Sequence, residues 1–139
     1  MLVLLKSALE IFGIVYLRFS WLPRLWCVWL VGINAAALLF ITHIEAQVVL
    51  IVTAVSVIIQ SVIYSKTGFT RILGMAHILW LPMFAWMATR TGEIASTPGM
   101  TFWVLLLFLT NAICLIIDFI DAGRFQRGER QPHYVWNGT

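Results

Sequence analysis

Residues 94–117 read IASTPGMTFWVLLLFLTNAICLII, twenty-four positions between Glu93 and Asp118 without a formal charge. A transmembrane helix needs roughly 20 predominantly apolar residues to cross the hydrocarbon of a bilayer. Three more uncharged stretches precede it: 20 residues between Arg24 and Glu45, 20 between Glu45 and Lys66, and 18 between Arg71 and Arg90. This punctuation predicts an all-α integral membrane protein with four transmembrane helices in an antiparallel bundle. The spans fall at about 25–42, 46–65, 70–89 and 101–122.

Composition agrees. The 139 residues are 61% hydrophobic and 11% charged, whereas a soluble domain carries about 25% charged residues. Such a chain cannot cover a water-facing surface, and it is read as one membrane domain over 1–139. Cys27 and Cys114 both fall inside expected spans, with no C-x-x-C pair. They are read as small apolar packing residues.

Residues 1–19 precede the spans. Lys6, Glu10 and Gly13 stand at i, i+4, i+7 among Leu, Ile, Val, Phe and Tyr. That narrow polar stripe predicts an N-terminal interfacial amphipathic helix lying along the membrane surface. Lys6 and Glu10 interrupt the apolar run and no small-x-small cleavage site follows, so the segment is expected to be retained. Pro23 then suits the first turn of the first span. Trp21, Trp26 and Trp29 stand near its start as headgroup-level anchors. Gly32 and Ala36, flanked by Ala35 and Ala37, make a small-xxx-small face suited to close helix approach. Gly68 should stop the second span. Pro82 should kink the third and free a carbonyl one turn earlier. Residues 91–100 read as a polar loop, and Gly123 as the end of the fourth span. Residues 123–139 form a basic, aromatic tail without apolar periodicity.

Charge sets the expected orientation. Lys6, Arg18, Arg24, Lys66, Arg71, Arg124, Arg127 and Arg130 fall on one side of a four-span topology, and Arg90 alone on the other. Positive residues mark the cytoplasmic face. Both termini are therefore expected in the cytoplasm, with the bacterial inner membrane as the setting. Basic residues at that face suit anionic headgroups of the lipid bilayer better than nucleic acid. Asn137-Gly138-Thr139 matches the glycosylation triplet but carries no meaning in a cytoplasmic tail.

Polar positions inside the spans fall on stripes. Asn111, Cys114, Asp118 and Asp121 share one face of the fourth helix; Thr53, Ser56, Gln60 and Tyr64 share one of the second. Gly74 and His77 share a face of the third, and Asn34 sits near the middle of the first. Lipid offers polar groups no partner, so these faces should point at one another. Depth then brings Gln60, His77 and Asp118 together in the cytoplasmic half, with His77 about 10 Å from the start of its helix. Asp121 and Arg71 should meet just below. Asn34 and Asn111 should act as interhelical glue worth about 0.5–2 kcal/mol.

The cluster has two readings. One is an interhelical clamp that fixes register. The other is a proton-responsive site, since imidazole changes charge near neutral pH. A haem is not expected, because His43, His77 and His133 lie at three different depths. A metal is not expected, because His77 and Asp118 count as only two ligands. His43 and Glu45 are read as an exposed loop pair. Asp118-x-x-Asp121 lacks the further carboxylates and glycines of a metal-dependent phosphotransferase, so no enzyme and no cofactor are expected. The functional expectation is an accessory or structural subunit, self-associating or bound to other membrane protein subunits. The alternative is an oligomeric proton-coupled transporter or channel using Gln60, His77 and Asp118.

Overall fold

The computed structural model describes residues 2–136; the 137–139 triplet lies outside them. Helix α1 covers Leu2–Leu17. Helix α2, Trp21–Ala35, tightens into a 3₁₀ turn over Ala36–Phe40. Helix α3 covers Ile44–Thr67. The third span begins as a 3₁₀ helix over Arg71–Leu79. It continues as α4, Trp80–Met87, a short 3₁₀ turn, Ala88–Arg90, and α5, Thr91–Ser96. Helix α6 covers Met100–Gln126. Four segments are long and apolar enough to cross a membrane: Trp21–Phe40, Ile44–Thr67, Arg71–Ser96 and Met100–Gln126. The protein is an all-α bundle of four such spans preceded by α1.

Three boundaries differ from the sequence expectation. The 91–100 stretch is not a loop throughout, because α5 extends the third span to Ser96 before Gly99, at φ 77°, turns the chain into α6. Gly123 does not end α6, which runs on to Gln126; a single helical glycine costs only about 1 kcal/mol. Just before Pro82 the span changes helical pitch. The proline lacks the N–H that would bind the Ile78 carbonyl in an α-helix, and the nine residues before Trp80 run at the tighter 3₁₀ pitch. Gly68 does stop α3, at φ 71° with its N–H on the Tyr64 carbonyl.

The two halves of the bundle interior differ in chemistry. At the end carrying the 41–43 turn, the core is apolar: Val49, Met83, Met87, Met100, Trp103 and Leu107 are buried. Phe40 stacks on Trp103 there, 5.2 Å between centroids. At the basic end Gln60, His77, Asp118, Arg71 and Asp121 meet among buried apolar residues such as Leu73, Ala76 and Leu115.

Helix α1 packs along α3. Tyr64 donates its hydroxyl to the Glu10 carboxylate at 2.9 Å, and Phe19 meets Phe69 edge-on at 5.6 Å. These contacts advance together along both chains, so α1 runs in the same sense as α3. Ser7, Ile11 and Ile14 are turned to the protein with Glu10 beside them, while Lys6 and Leu2, Leu5, Leu9 and Leu17 are exposed. The helix thus runs beside a candidate span with leucines outward, rather than flat along the membrane surface as its sequence pattern predicts.

The tail is docked. The His133 N–H bonds the Phe69 carbonyl at 3.0 Å, and Tyr134 forms an isolated antiparallel bridge with Phe69. Tyr134 also packs on Phe19. Trp136 lies on α1 where Gly13 has no side chain, and any Cβ there would collide with the indole. Residues 127–136 therefore strap the end of α1 to the 68–70 turn.

Candidate functional site

A 3₁₀ helix has about three residues per turn, so side chains three apart eclipse. Arg71, Gly74, His77 and Trp80 accordingly lie in one row along the third span. On α6 the 3.6-residue period aligns Cys114, Asp118 and Asp121. The two rows face each other, in the most extensive contact between two elements of the bundle. An α-helix would have rotated the first row by about 60° every three residues.

The extended pitch also changes depth. At about 2 Å per residue His77 lies about 14 Å from Thr70, rather than about 10 Å. Asp118 stands about two turns before the end of α6, deeper than a helix ending at Gly123 would place it. The two shifts match, and the pair meets.

His77 is the hub. Its Nδ1 lies 2.8 Å from Asp118 Oδ2, and its Nε2 lies 2.9 Å from the Gln60 amide nitrogen. The amide nitrogen can only donate, so Nε2 accepts and Nδ1–H donates to the carboxylate. The other carboxylate oxygen presses on Gly74, where a Cβ would collide with it. Trp80 stacks on the imidazole, 4.2 Å between centroids and 9° from parallel. Cys114 Sγ lies 3.5 Å from Asp118 Oδ2 and 3.8 Å from His77 Nδ1. His77 and Asp118 side chains are 14% and 15% exposed, so neither is solvated as a surface group would be. Among the described residues, Trp80 Nε1 and Ser56 Oγ are buried with no hydrogen-bond partner.

Towards the basic end, Arg71 pairs with Asp121 at 2.6 Å. It also forms an ion pair with Glu129 at 2.9 Å without hydrogen-bond alignment. Arg124 takes the Glu129 carboxylate with Nε at 3.0 and 3.1 Å. That hydrogen bond holds the Glu129 carboxyl below the usual carboxylate range against the opposing effect of desolvation, with the Arg124 and Arg71 charges adding to the lowering. Asp118, in contrast, is compensated by His77 and not by an arginine.

Towards the other end, Asn34 and Asn111 exchange reciprocal amide bonds at 3.0 and 3.1 Å, and Thr53 reaches Asn34 Oδ1 at 3.5 Å. This joins α2, α6 and α3. Trp29, read from sequence as a headgroup anchor, donates its indole N–H to Thr110 at 3.0 Å. At the far end Glu45 is not an exposed loop residue. It is 2% exposed and pairs with Arg90 Nε at 2.6 Å, because the end of the third span reaches back to the start of α3. His43 precedes α3, and His133 sits in the docked tail.

The structure thus brings together Gln60, His77 and Asp118; Arg71 and Asp121; and Asn34 and Asn111. Sequence reasoning missed the role of Cys114, although it stood one turn from Asp118 on the same stripe. It also missed Trp80, three residues after His77 and eclipsed with it at the 3₁₀ pitch. With Cys114, the count of metal-donor groups, His77 included, rises from two to three. Comparison with known proteins adds no relative: no family model, no curated protein and no solved structure matches the chain.

Proposed function

We propose that this chain is an accessory or structural subunit of a membrane assembly, self-associating or packed on a larger membrane protein. The observation that carries the reading is the outward face of α2. Gly32 has nothing within 4 Å of where a Cβ would stand, and Val28 and Ala35 beside it are exposed. The span Trp21–Phe40 also has the smallest share of buried residues among the four, 17% against 39% for Met100–Gln126. Helices in lipid associate by van der Waals packing, and small residues let backbones approach closely. Gly32 and Ala35 are therefore free for a helix from outside the chain, whereas Ala36 packs against the core and Ala37 is buried in it. Inside, most intramembrane polar groups pair with one another, so the spans are clamped rather than opened around a path. The setting we favour is a bacterial inner membrane with both termini cytoplasmic, supported by eight of nine Lys and Arg residues lying on that side of the topology. An oligomeric transporter or channel is the second reading. Its support is the ladder of polar side chains from Arg71 and Asp121, through Gln60, His77 and Asp118, to Asn34 and Asn111. The test is what co-purifies after mild solubilisation. A stoichiometric membrane partner, or a defined oligomer that Gly32→Ile dissociates, supports the accessory reading. A monomer purifying alone from its native membrane overturns it.

A further inference from the structure

We propose that His77, Cys114 and Asp118 form an intramembrane binding site for a divalent transition-metal ion of the zinc class. The donor atoms are His77 Nδ1, Cys114 Sγ and Asp118 Oδ2, all within 4.8 Å of one another. Their separations are 2.8, 3.5 and 3.8 Å. Tetrahedral zinc at its usual bond lengths holds nitrogen, sulfur and oxygen donors about 3.3–3.6 Å apart. Two of the three spacings are close to that range. The third opens by about half an ångström when the ion replaces the hydrogen bond.

The donor set selects the ion. An imidazole and a thiolate exclude magnesium and calcium, which take all-oxygen shells, and favour zinc or its cobalt(II) substitute. Three protein ligands leave a fourth position for water or another small ligand. Charge favours the same ion. A divalent cation with one thiolate and one carboxylate is neutral as a unit, which suits a low-dielectric setting.

The surroundings are those a metal-bound imidazole needs. With the ion on Nδ1, the ring proton moves to Nε2, and Gln60 turns its amide oxygen to receive it at the existing 2.9 Å contact. Such a partner fixes ring orientation and tautomer. Gly74 leaves the space the carboxylate occupies, and Trp80 covers one face of the ring. The proton balance is simple. The thiol loses one proton to the medium, the imidazole proton only changes nitrogen, and Asp118 binds as its carboxylate anion. One proton is released per ion bound.

The site is independent of the α2 face, so either proposal can fail alone. The test uses the full chain, stripped of metal in detergent and titrated with cobalt(II), then zinc. One equivalent of cobalt(II) should give tetrahedral d–d bands and a thiolate-to-cobalt charge-transfer band, and zinc should displace both. Cys114→Ser should remove the charge-transfer band, while Cys27→Ser should retain it. Gln60→Ala should weaken binding about 10–100-fold. Matching helical circular dichroism and monodispersity of both cysteine variants separate loss of ligand from loss of fold. No charge-transfer band in the unmodified chain, or one that survives in a folded Cys114→Ser, overturns the proposal.

Discussion

Gly74 lies so close to Asp118 that any side chain at position 74 would occupy the place of the carboxylate. The contact exists because the 3₁₀ segment presents Gly74 and His77 in one row, and α6 sits down on that row. Asp118 cannot swing aside cheaply, since His77 holds its other oxygen at 2.8 Å. Gly74→Ala should therefore destabilise the bundle by about 1–3 kcal/mol, the usual cost of overpacking. Reversible unfolding in mixed detergent measures it. Stability equal to the parent would show that the two helices are not in this register.

His77 and Asp118 should behave as a coupled pair. Asp118→Asn and His77→Gln each leave a partner underserved in a site with little water. Each should cost about 1–3 kcal/mol. The double variant should cost less than the sum by about 0.5–2 kcal/mol, because no group is then left unmatched. Strict additivity would mean that the two do not interact in the folded protein.

The tail strap should loosen in acid. Glu129 has its carboxyl held low in the folded chain by Arg124 first and Arg71 after it. A depressed carboxyl contributes stability above its unfolded pKa and loses it as the pH falls through the folded value. Docking of 127–136 should therefore weaken below the ordinary carboxylate range, and Glu129→Gln should flatten that dependence. Fluorescence of Trp136, isolated by replacing the other tryptophans with Phe, reports it. A profile identical in both chains would remove Glu129 from the account.

The spans were legible in the sequence because absence of charge over some twenty residues has one physical meaning in this composition. Depth bookkeeping also grouped Gln60, His77 and Asp118, since polar groups in lipid must find each other. What escaped had weaker sequence signals. The 3₁₀ stretch over Arg71–Leu79 has the hydropathy of any apolar helix, and only Pro82 hinted at it. Cys114 is chemically ambiguous until its neighbours are known. Glu45 looked exposed because the third span was expected to end at Thr89, short of the α5 extension. The docked tail has no periodicity, as its contacts come from single residues such as Tyr134 and Trp136.

The proposed orientation rests on the eight-to-one distribution of Lys and Arg. Reporters fused after Thr139 and inserted within 91–98 should lie on opposite sides of the membrane, with the C-terminal reporter cytoplasmic. A C-terminal reporter on the outer side would reverse the topology or change the number of spans.

The outward face of α2 is the central claim, and site-directed photo-crosslinking in native membranes tests it most directly. A photo-reactive residue at Val28, one turn before Gly32, would sit on that face. The same group at Phe102 on α6, 68% exposed, would sit on a face that no small-residue surface adjoins. The account predicts a discrete protein adduct from position 28, to a second copy or to one partner, and only lipid adducts from position 102. Lipid adducts alone from both positions, or equal protein adducts from both, would contradict it.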